Sequence, residues 1–262
     1  MRWTIALLAF AAVLTSPLPA GSSPRPANTQ LPNLVPLPAF DLSLGTDQDG
    51  ARILSFAVAT ANRGDFALDL RFESEGASTQ SAAAHQCIAW VTDRVCAERE
   101  VVGSFEWHPE HAHHHFRDFA LYEIRSFRRG GIPDMRPRGL IATSGKMSFC
   151  LIDVEQDREP DSLLYVQPHP LYYTCLVGAG FQGISPGWRD VYSNGTQGQW
   201  FPLDNLADGD HALVVTSDPA GRLLETNERD NRSVLGFRLE DGTRKVDVFC
   251  VSEPGTLRCE DP

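Results

Sequence analysis

Short β-prone segments separated by turn residues are the feature that most constrains the fold. Long stretches with helical periodicity are absent. The β-prone segments include RILSFAVATANRG, QCIAWVTDRVC, DFALYEIRSF, GLIATSGKMSFCLIDV, HALVVTSD, SVLGFRL and KVDVFCV. Many short strands at this spacing predict a mainly β protein with a β-sandwich-like core, long loops and little helix.

Six cysteines add covalent constraints to that core. An even number of cysteines behind a secretion signal favours disulfides, and the absence of any C-x-x-C pattern argues against a zinc–thiolate site. Six cysteines permit fifteen pairings, so spacing suggests a set without settling it. The pairs suggested by local spacing and by elimination are Cys87–Cys96, Cys250–Cys259 and Cys150–Cys175.

The amino terminus has the pattern of a secretion signal. Arg2 precedes an apolar run over residues 4–14, and Ala20 offers a small residue for cleavage. The run is too short to span a bilayer, although an uncleaved anchor is the alternative. We therefore predict a signal peptide over residues 1–20, an extended lead-in over residues 21–35, and one domain over residues 36–262. The expected location is extracellular or periplasmic.

The charge balance limits the class of partner. The formal net charge is −11 and the isoelectric point is about 5.1. Nucleic-acid binding needs a basic face, so nucleic acid is not an expected partner. An acidic protein attracts cationic partners or substrates instead. No second apolar run follows the signal, so we predict no membrane span.

A histidine cluster is the strongest chemical signal in the chain. Five of the eight histidines lie within the segment FEWHPEHAHHHF. Imidazole is a ligand for copper, zinc, nickel and iron, and the affinity order favours Cu²⁺. The alternative is a surface loop decorated with histidines, but this density in a secreted chain favours a metal site. The nearby carboxylates Glu106, Glu110 and Asp118 can either orient the imidazoles or remain solvated.

Strand parity selects three of these histidines as ligands. Side chains alternate between faces along a strand, so an extended HAHHH segment projects His111, His113 and His115 to one side. His114 then points to the opposite face. His108 lies beyond Pro109, which should break the strand, and we assign it a supporting role. Three histidine ligands leave a coordination position open for catalysis.

Several motifs around and beyond this cluster resemble one family, the lysyl oxidases. EWHPEHAHHHFRDFALYEI resembles the family's copper signature, and GKMSFCLID resembles its lysine segment. QGISPGWRDVYSNGTQGQWFPLDNLADGDHALVV, NERDNRSV and LPNLVPLP are similar to further family segments in the same order. The resemblance runs from about residue 31 to residue 237.

The resemblance implies a copper-dependent amine oxidase. Members carry a lysine tyrosylquinone cofactor, and its carried-over residues are Lys146 and Tyr192. The implied reaction oxidises small cationic primary amines or the peptidyl lysines of protein substrates to aldehydes with O₂, and releases hydrogen peroxide and ammonia. The general base is left open between Asp190 and Asp153, which match acidic positions of the family pattern.

Three positions depart from the family pattern. Glu110 replaces a cysteine, His114 replaces a tyrosine, and Gly145 replaces a histidine. None of them removes a predicted ligand. The competing hypothesis is a secreted copper- or zinc-binding β protein without turnover, which would not need the Lys146–Tyr192 pair. A zinc hydrolase would use the same histidines, but no other motif in the chain supports it.

Overall fold

The described part of the chain excludes most of the amino-terminal segment. The structure is a computed structural model that describes residues 29–72, 81–92, 95–127, 139–157, 166–176, 180–240, 242, 244–253 and 256–259. The predicted signal peptide and most of the lead-in lie outside these residues.

Strands in three antiparallel sheets make up most of the described structure. The first sheet contains β1 (Leu34–Pro36), β2 (Phe40–Thr46), β3 (Arg52–Asn62), β10 (Glu155–Gln156), β12 (Trp188–Tyr192) and β13 (Trp200–Pro202). The second contains β4 (Leu68–Arg71), β5 (Ser81–Thr92), β6 (Val95–His108), β7 (His113–Phe116) and β11 (Phe181–Ile184). The third contains β8 (Ala120–Ser126), β9 (Leu140–Thr143), β14 (Gly209–Ser217), β15 (Arg232–Glu240), β16 (Lys245–Glu253) and β17 (Thr256–Cys259). A 3₁₀ turn covers Leu203–Asn205.

Strand β3 organises the first sheet. It pairs with β1, β2, β12 and β13, and most of its eleven residues are buried. A strand with neighbours on both edges and covered faces reads as a nearly continuous apolar run, as RILSFAVATAN does. Its register with β12 sets Asp190 opposite Thr60 and Tyr192 opposite Val58. The position of β12 therefore depends on β3.

All three sheets contribute to one hydrophobic core. Burial alternates along strand β8, with Ala120, Tyr122 and Ile124 buried between more exposed residues. These residues pack with apolar side chains from the other two sheets, which include Leu54, Phe56, Leu68, Leu70, Phe105, Phe116 and Phe201. The fold is mainly β and sandwich-like with long loops and little helix, as predicted.

The three predicted disulfides are confirmed. Their Cα atoms lie 5.7, 6.0 and 4.1 Å apart, and the described residues contain no free cysteine. The pairs are Cys87–Cys96, Cys150–Cys175 and Cys250–Cys259. The first and third close local hairpins, whereas the second joins two irregular segments near the carboxyl end of the lysine motif.

The described end of the lead-in packs on the domain. Leu31 and Leu34 are almost fully buried, and the backbone N–H of Leu34 donates a hydrogen bond to the carboxylate of Glu225. The N–H of Thr226 also donates to the carbonyl of Pro32. Among the described residues, no helix has the length and apolar character needed to cross a membrane.

Candidate functional site

A β-hairpin formed by β6 and β7 carries the histidine cluster. The register pairs His108 with His113 and Glu106 with His115. Residues that are paired across antiparallel strands project to the same face, so His108, His113 and His115 share one side of the hairpin. His111 lies in the turn that joins the two strands.

The hairpin corrects the expected backbone of the cluster. The extended HAHHH segment was predicted from residue 111 onwards, but residues 109–112 form a turn and the strand begins at His113. Ala112 takes a positive φ of 54°, and the N–H of His111 donates to the carbonyl of His108 at 3.2 Å. Pro109, which has no N–H to donate to a ladder, starts this reversal. His111 therefore reaches the cluster from the turn, while His113 and His115 share a face as predicted.

The imidazole nitrogens converge at distances that suit a metal ion. His113 Nε2 lies 2.9 Å from His115 Nε2, and His111 Nδ1 lies 3.3 Å from the same atom. Nitrogen ligands about 2.0 Å from a common ion lie roughly 2.8–3.3 Å apart at square or tetrahedral angles. A potential ligand atom from each of His108, His111 and His115 also lies within 4.8 Å of the other two.

The protonation of the cluster favours the same conclusion. Burial, then the charges of His108 and His113, lowers the pKa of His115 to about 2. Burial likewise lowers the pKa of His113. Neutral imidazoles offer the lone pairs that a metal needs. The buried Nδ1 atom of His108 has no hydrogen-bond partner, and imidazole is a ligand for both copper and zinc, so the donor set fits either ion.

His114 faces away from the converging nitrogens, and two of the nearby carboxylates form ion pairs with arginines. The His114 ring packs between Phe72 and Trp107, with ring centroids 4.9 and 5.1 Å away, which confirms that it faces the opposite side. The other nearby contacts are ion pairs with arginine. They are Glu106–Arg117 at 3.4 Å and Asp118–Arg222 at 3.1 Å.

The lysine segment approaches the hairpin from an irregular loop. Only Leu140–Thr143 of the run GLIATSGKMSFCLIDV forms a strand of the third sheet. The Lys146 N–H donates to Ser144 Oγ at 3.1 Å, and Phe149 exchanges two backbone hydrogen bonds with Phe116 of β7. The loop that carries Lys146 forms backbone hydrogen bonds with strands on both sides of it. These bonds hold Lys146 between the second and third sheets. Burial lowers the pKa of the Lys146 amine.

The structure brings Lys146 and Tyr192 together. Lys146 Nζ lies 5.4 Å from the centroid of the Tyr192 ring, although 46 positions separate the two residues along the chain. The Tyr192 hydroxyl donates to the Cys150 carbonyl at 2.6 Å and accepts from the Cys150 N–H at 2.9 Å. Phe149 packs edge-on against the same ring at 4.8 Å. The ring position is therefore set by the backbone beside the Cys150–Cys175 disulfide.

The two candidate bases have different environments. The Asp153 carboxylate accepts hydrogen bonds from the N–H groups of Leu171, Tyr172 and Ser185 and from the Ser185 hydroxyl. Asp190 is equally buried, but its Oδ2 has no hydrogen-bond partner. Burial and then the charge of Asp153 raise the pKa of Asp190, while hydrogen bonds from the backbone N–H groups of Val191 and Ile152, and then the charge of Lys146, oppose the rise. Asp190 thus keeps a free acceptor beside the lysine, whereas Asp153 ties three segments together.

A cavity of about 490 Å³ is lined both by the histidine hairpin and by the loop that carries Lys146. His108, His111 and Lys146 lie on its wall. Its other described lining residues are Glu110, Thr143, Ser144, Gly145, Met147, Ser148, Gln197, Gly198, Trp200 and Pro202. A substrate in this cavity would reach the lysine and the imidazoles together.

Two features of the site escaped the sequence analysis. His108 lies among the imidazoles because β6 pairs with β7. A prediction of a hairpin with its turn at residues 109–112 would have placed His108 there. Gly198 has a φ of 80°, and a Cβ at this position would lie 3.2 Å from the Lys146 Cβ. No local sequence signal indicates this contact, since it depends on how the 193–199 turn meets the lysine loop.

Comparisons with known proteins match the same region. A family model described as lysyl oxidase covers residues 97–248, more than half of the chain. Protein-lysine 6-oxidase of Gallus gallus and that of Homo sapiens are each 28% identical over 129 residues, 49% of this chain and 26% of each relative. Lysyl oxidase homolog 2 of Xenopus tropicalis is 30% identical over 129 residues, 49% of this chain and 14% of that protein. The similarity therefore covers about half of this chain and a minor part of each relative.

Proposed function

Because this chain belongs to the lysyl oxidase family, we propose that it is a copper-dependent amine oxidase. It converts a primary amine, either a small molecule or a peptidyl lysine, to an aldehyde with O₂ and water, and releases hydrogen peroxide and ammonia. The observation that carries the proposal is the 5.4 Å approach of Lys146 Nζ to the Tyr192 ring. A metal-binding protein without turnover has no need for this pair.

The imidazoles of His111, His113 and His115 would hold copper, and His108 stands beside them as a fourth imidazole. The spacing of their nitrogens suits a bound ion, and burial lowers the pKa of His115 and of His113, which favours the neutral imidazoles that a metal binds. When bound, copper supplies the redox chemistry by which O₂ oxidises the Tyr192 ring, and the resulting lysine tyrosylquinone accepts electrons from the amine. The supporting role that His108 was assigned from sequence remains a prediction.

Lys146 contributes a nucleophilic nitrogen held close to its target. An amine attacks an electrophilic ring only as the free base, and the burial that lowers the Lys146 pKa favours that form. The hydrogen bonds between the Tyr192 hydroxyl and Cys150 keep the ring in one orientation. Positioning of this kind converts an encounter into an intramolecular step.

Asp190 is the base that removes the proton from the substrate carbon next to nitrogen. Its buried Oδ2 has no competing hydrogen bond, so this atom is available to accept a proton. Asp153 holds the segments around the site, because four donors already occupy its carboxylate. This division favours Asp190 over Asp153 as the base.

Secretion is part of the proposal. Three disulfides are typical of proteins outside the reducing cytosol, and the predicted signal over residues 1–20 agrees with this. The net charge of −11 favours cationic amines as substrates. The reaction consumes O₂, and no nucleic-acid or membrane partner enters it.

Peptide mapping of the secreted, copper-loaded protein tests the proposal. Residues 146 and 192 should be covalently joined, and the protein should show visible quinone absorbance. Lys146→Arg should retain copper but lose both the cross-link and amine-dependent peroxide release. Separate, unmodified peptides in fully copper-loaded protein would reject the oxidase and favour a copper- or zinc-binding β protein without turnover.

A further inference from the structure

Gln199 is a fully buried amide that lacks a hydrogen-bond partner for its side chain. The residue is 0% exposed, and neither Oε1 nor Nε2 has a partner among the described residues. Two other buried glutamines are bonded at both amide atoms. Gln86 donates to the carbonyl of Leu224 at 2.7 Å and accepts from its N–H at 2.8 Å. Gln182 donates to the His114 carbonyl at 2.6 Å and accepts from the Leu151 N–H at 3.1 Å. A buried amide without partners is costly to the fold, so Gln199 needs an explanation.

Strand register places Gln199 beside Tyr192. The Phe56 N–H donates to the Gln199 carbonyl at 3.1 Å. Tyr192 pairs with Val58, and Asp190 pairs with the residue two positions further along β3. Partners of alternate residues on one strand project to the same face of a sheet. The side chains of Gln199, Tyr192 and Asp190 therefore form a row on one face of the first sheet, with neighbours roughly 7 Å apart along β3.

Contacts with the lysine loop and the third sheet place Gln199 in the same group. A Cβ at Gly198, the preceding residue, would lie 3.2 Å from the Lys146 Cβ. Burial and then the charge of Asp190 raise the pKa of the Tyr122 hydroxyl, while the nearby Gln199 amide opposes the rise. Gln199 thus lies next to both residues of the proposed cofactor.

Oxidation of the Tyr192 ring creates a need for a donor. A tyrosine has one ring oxygen, whereas a quinone has two carbonyl oxygens, and a carbonyl oxygen only accepts hydrogen bonds. The N–H of Cys150, which already donates to the Tyr192 hydroxyl at 2.9 Å, can serve one of the two. The Asp190 carboxylate cannot serve the other, because an ionised carboxylate only accepts. The Gln199 amide carries N–H donors and can turn either way, since both of its ends are unpartnered.

We propose that the Gln199 side-chain amide donates a hydrogen bond to the carbonyl oxygen that the Tyr192 ring gains, and so positions the mature cofactor. This inference rests on the proposed amine oxidase function. The donor is unpaired before the ring is processed and paired afterwards. Its contribution to stability should therefore change sign between the two states.

Thermal unfolding of the copper-free, unprocessed protein tests the first state. Gln199→Met keeps the size of the side chain and removes the amide, so the melting temperature should stay the same or rise by up to roughly 4 °C. Gln86→Met is the matched control, because it removes a buried amide that is bonded, and its melting temperature should fall by roughly 4–8 °C. An equal fall for Gln199→Met, or its failure to fold, would show that the amide already has a partner and would overturn the inference.

Resonance Raman spectroscopy of the copper-loaded protein tests the second state, once peptide mapping has shown residues 146 and 192 to be joined. A hydrogen bond lowers the stretching frequency of a carbonyl group. Gln199→Met should therefore shift the quinone carbonyl band to higher frequency, and Gln86→Met should leave it unchanged. Gln199→Glu can donate only when protonated, so its band should move towards the wild-type position as the pH falls. A residue that only fills space would give no such pH dependence.

The outcomes separate this inference from the proposed function. A wild-type protein with the cross-link and the quinone, but the same carbonyl band in Gln199→Met, overturns the inference and leaves the oxidase intact. A band that moves in Tyr122→Phe and not in Gln199→Met assigns the donor to Tyr122 and also overturns it. Wild-type protein that forms neither cross-link nor quinone rejects the proposed function, and the role of Gln199 with it.

Discussion

Substitution of Gly198 by alanine should slow formation of the Lys146–Tyr192 cofactor, and this effect should be separate from the cost to folding stability. Gly198 has a φ of 80°, and an added Cβ would lie 3.2, 3.5 and 3.7 Å from the Cβ, Cδ and Cγ atoms of Lys146. The left-handed backbone costs an alanine roughly 1–2 kcal/mol. The contact at 3.2 Å is shorter than ordinary van der Waals separation, so the lysine stem must move by a few tenths of an ångström.

The same glycine chemistry occurs without the lysine contact at Gly50. Its φ is 82°, and an added Cβ there would have no heavy atom within 4 Å. Gly50→Ala and Gly198→Ala should therefore lose similar stability, and both melting temperatures should fall by roughly 2–8 °C. Only Gly198→Ala displaces Lys146, whose stem leads to the Nζ atom beside Tyr192.

The displacement should slow the joining of Lys146 and Tyr192 by about tenfold, because an error near 1 Å in a reacting group costs up to about a hundredfold. The assay follows the fraction of joined peptide by mass spectrometry at fixed times after copper is added. Thermal unfolding of both variants is measured in parallel. Equal rates of cross-linking in Gly198→Ala and Gly50→Ala would refute the claim that Gly198 positions the lysine.

Four further variants test the rest of the site and the fold. Asp190→Asn should lower kcat by about 10²–10⁴-fold with little change in urea unfolding. Asp153→Asn should instead lower the free energy of unfolding by about 1–3 kcal/mol. The reverse pattern would show that Asp153 is the base and Asp190 the structural residue. Burial raises the pKa of Glu225 from 4.5 to about 8, so the native state keeps a proton that the unfolded chain releases. In chelator-containing buffer, wild-type stability should therefore fall by up to about 5 kcal/mol between pH 4.5 and 8, and Glu225→Gln should not share the fall. Removing the Cys150–Cys175 disulfide with two serines opens a 25-residue separation and should cost about 3 kcal/mol in urea unfolding; a loss below about 1 kcal/mol would contradict the estimate.

Local pattern in the sequence carried much of the fold. β-prone residues bounded by turn residues predicted short strands such as β8, because this pattern depends only on neighbours along the chain. Close spacing suggested two disulfides and left Cys150–Cys175 by elimination. The irregular backbone around Lys146 was not predictable from the sequence, because the apolar run MSFCL resembles a strand. In the structure its residues form separate backbone hydrogen bonds with different segments instead of a continuous ladder.

The sequence by itself determined which side chains this protein has for its chemistry: a dense imidazole segment, a lysine and a tyrosine in recognisable motifs, and two candidate carboxylates. Strand parity correctly grouped His113 with His115. It wrongly predicted an extended backbone at His111, which lies in a turn, and side chains in a turn do not alternate with a period of two. Only the tertiary structure decided that His108 joins the cluster, and it set the 5.4 Å distance between Lys146 Nζ and the ring of Tyr192, a pair that the family resemblance had implied. These contacts join distant segments of chain, so they depend on strand register and loop packing. The two aspartates are distinguished for the same reason, because the donors that occupy Asp153 come from other segments and leave Asp190 Oδ2 without a partner.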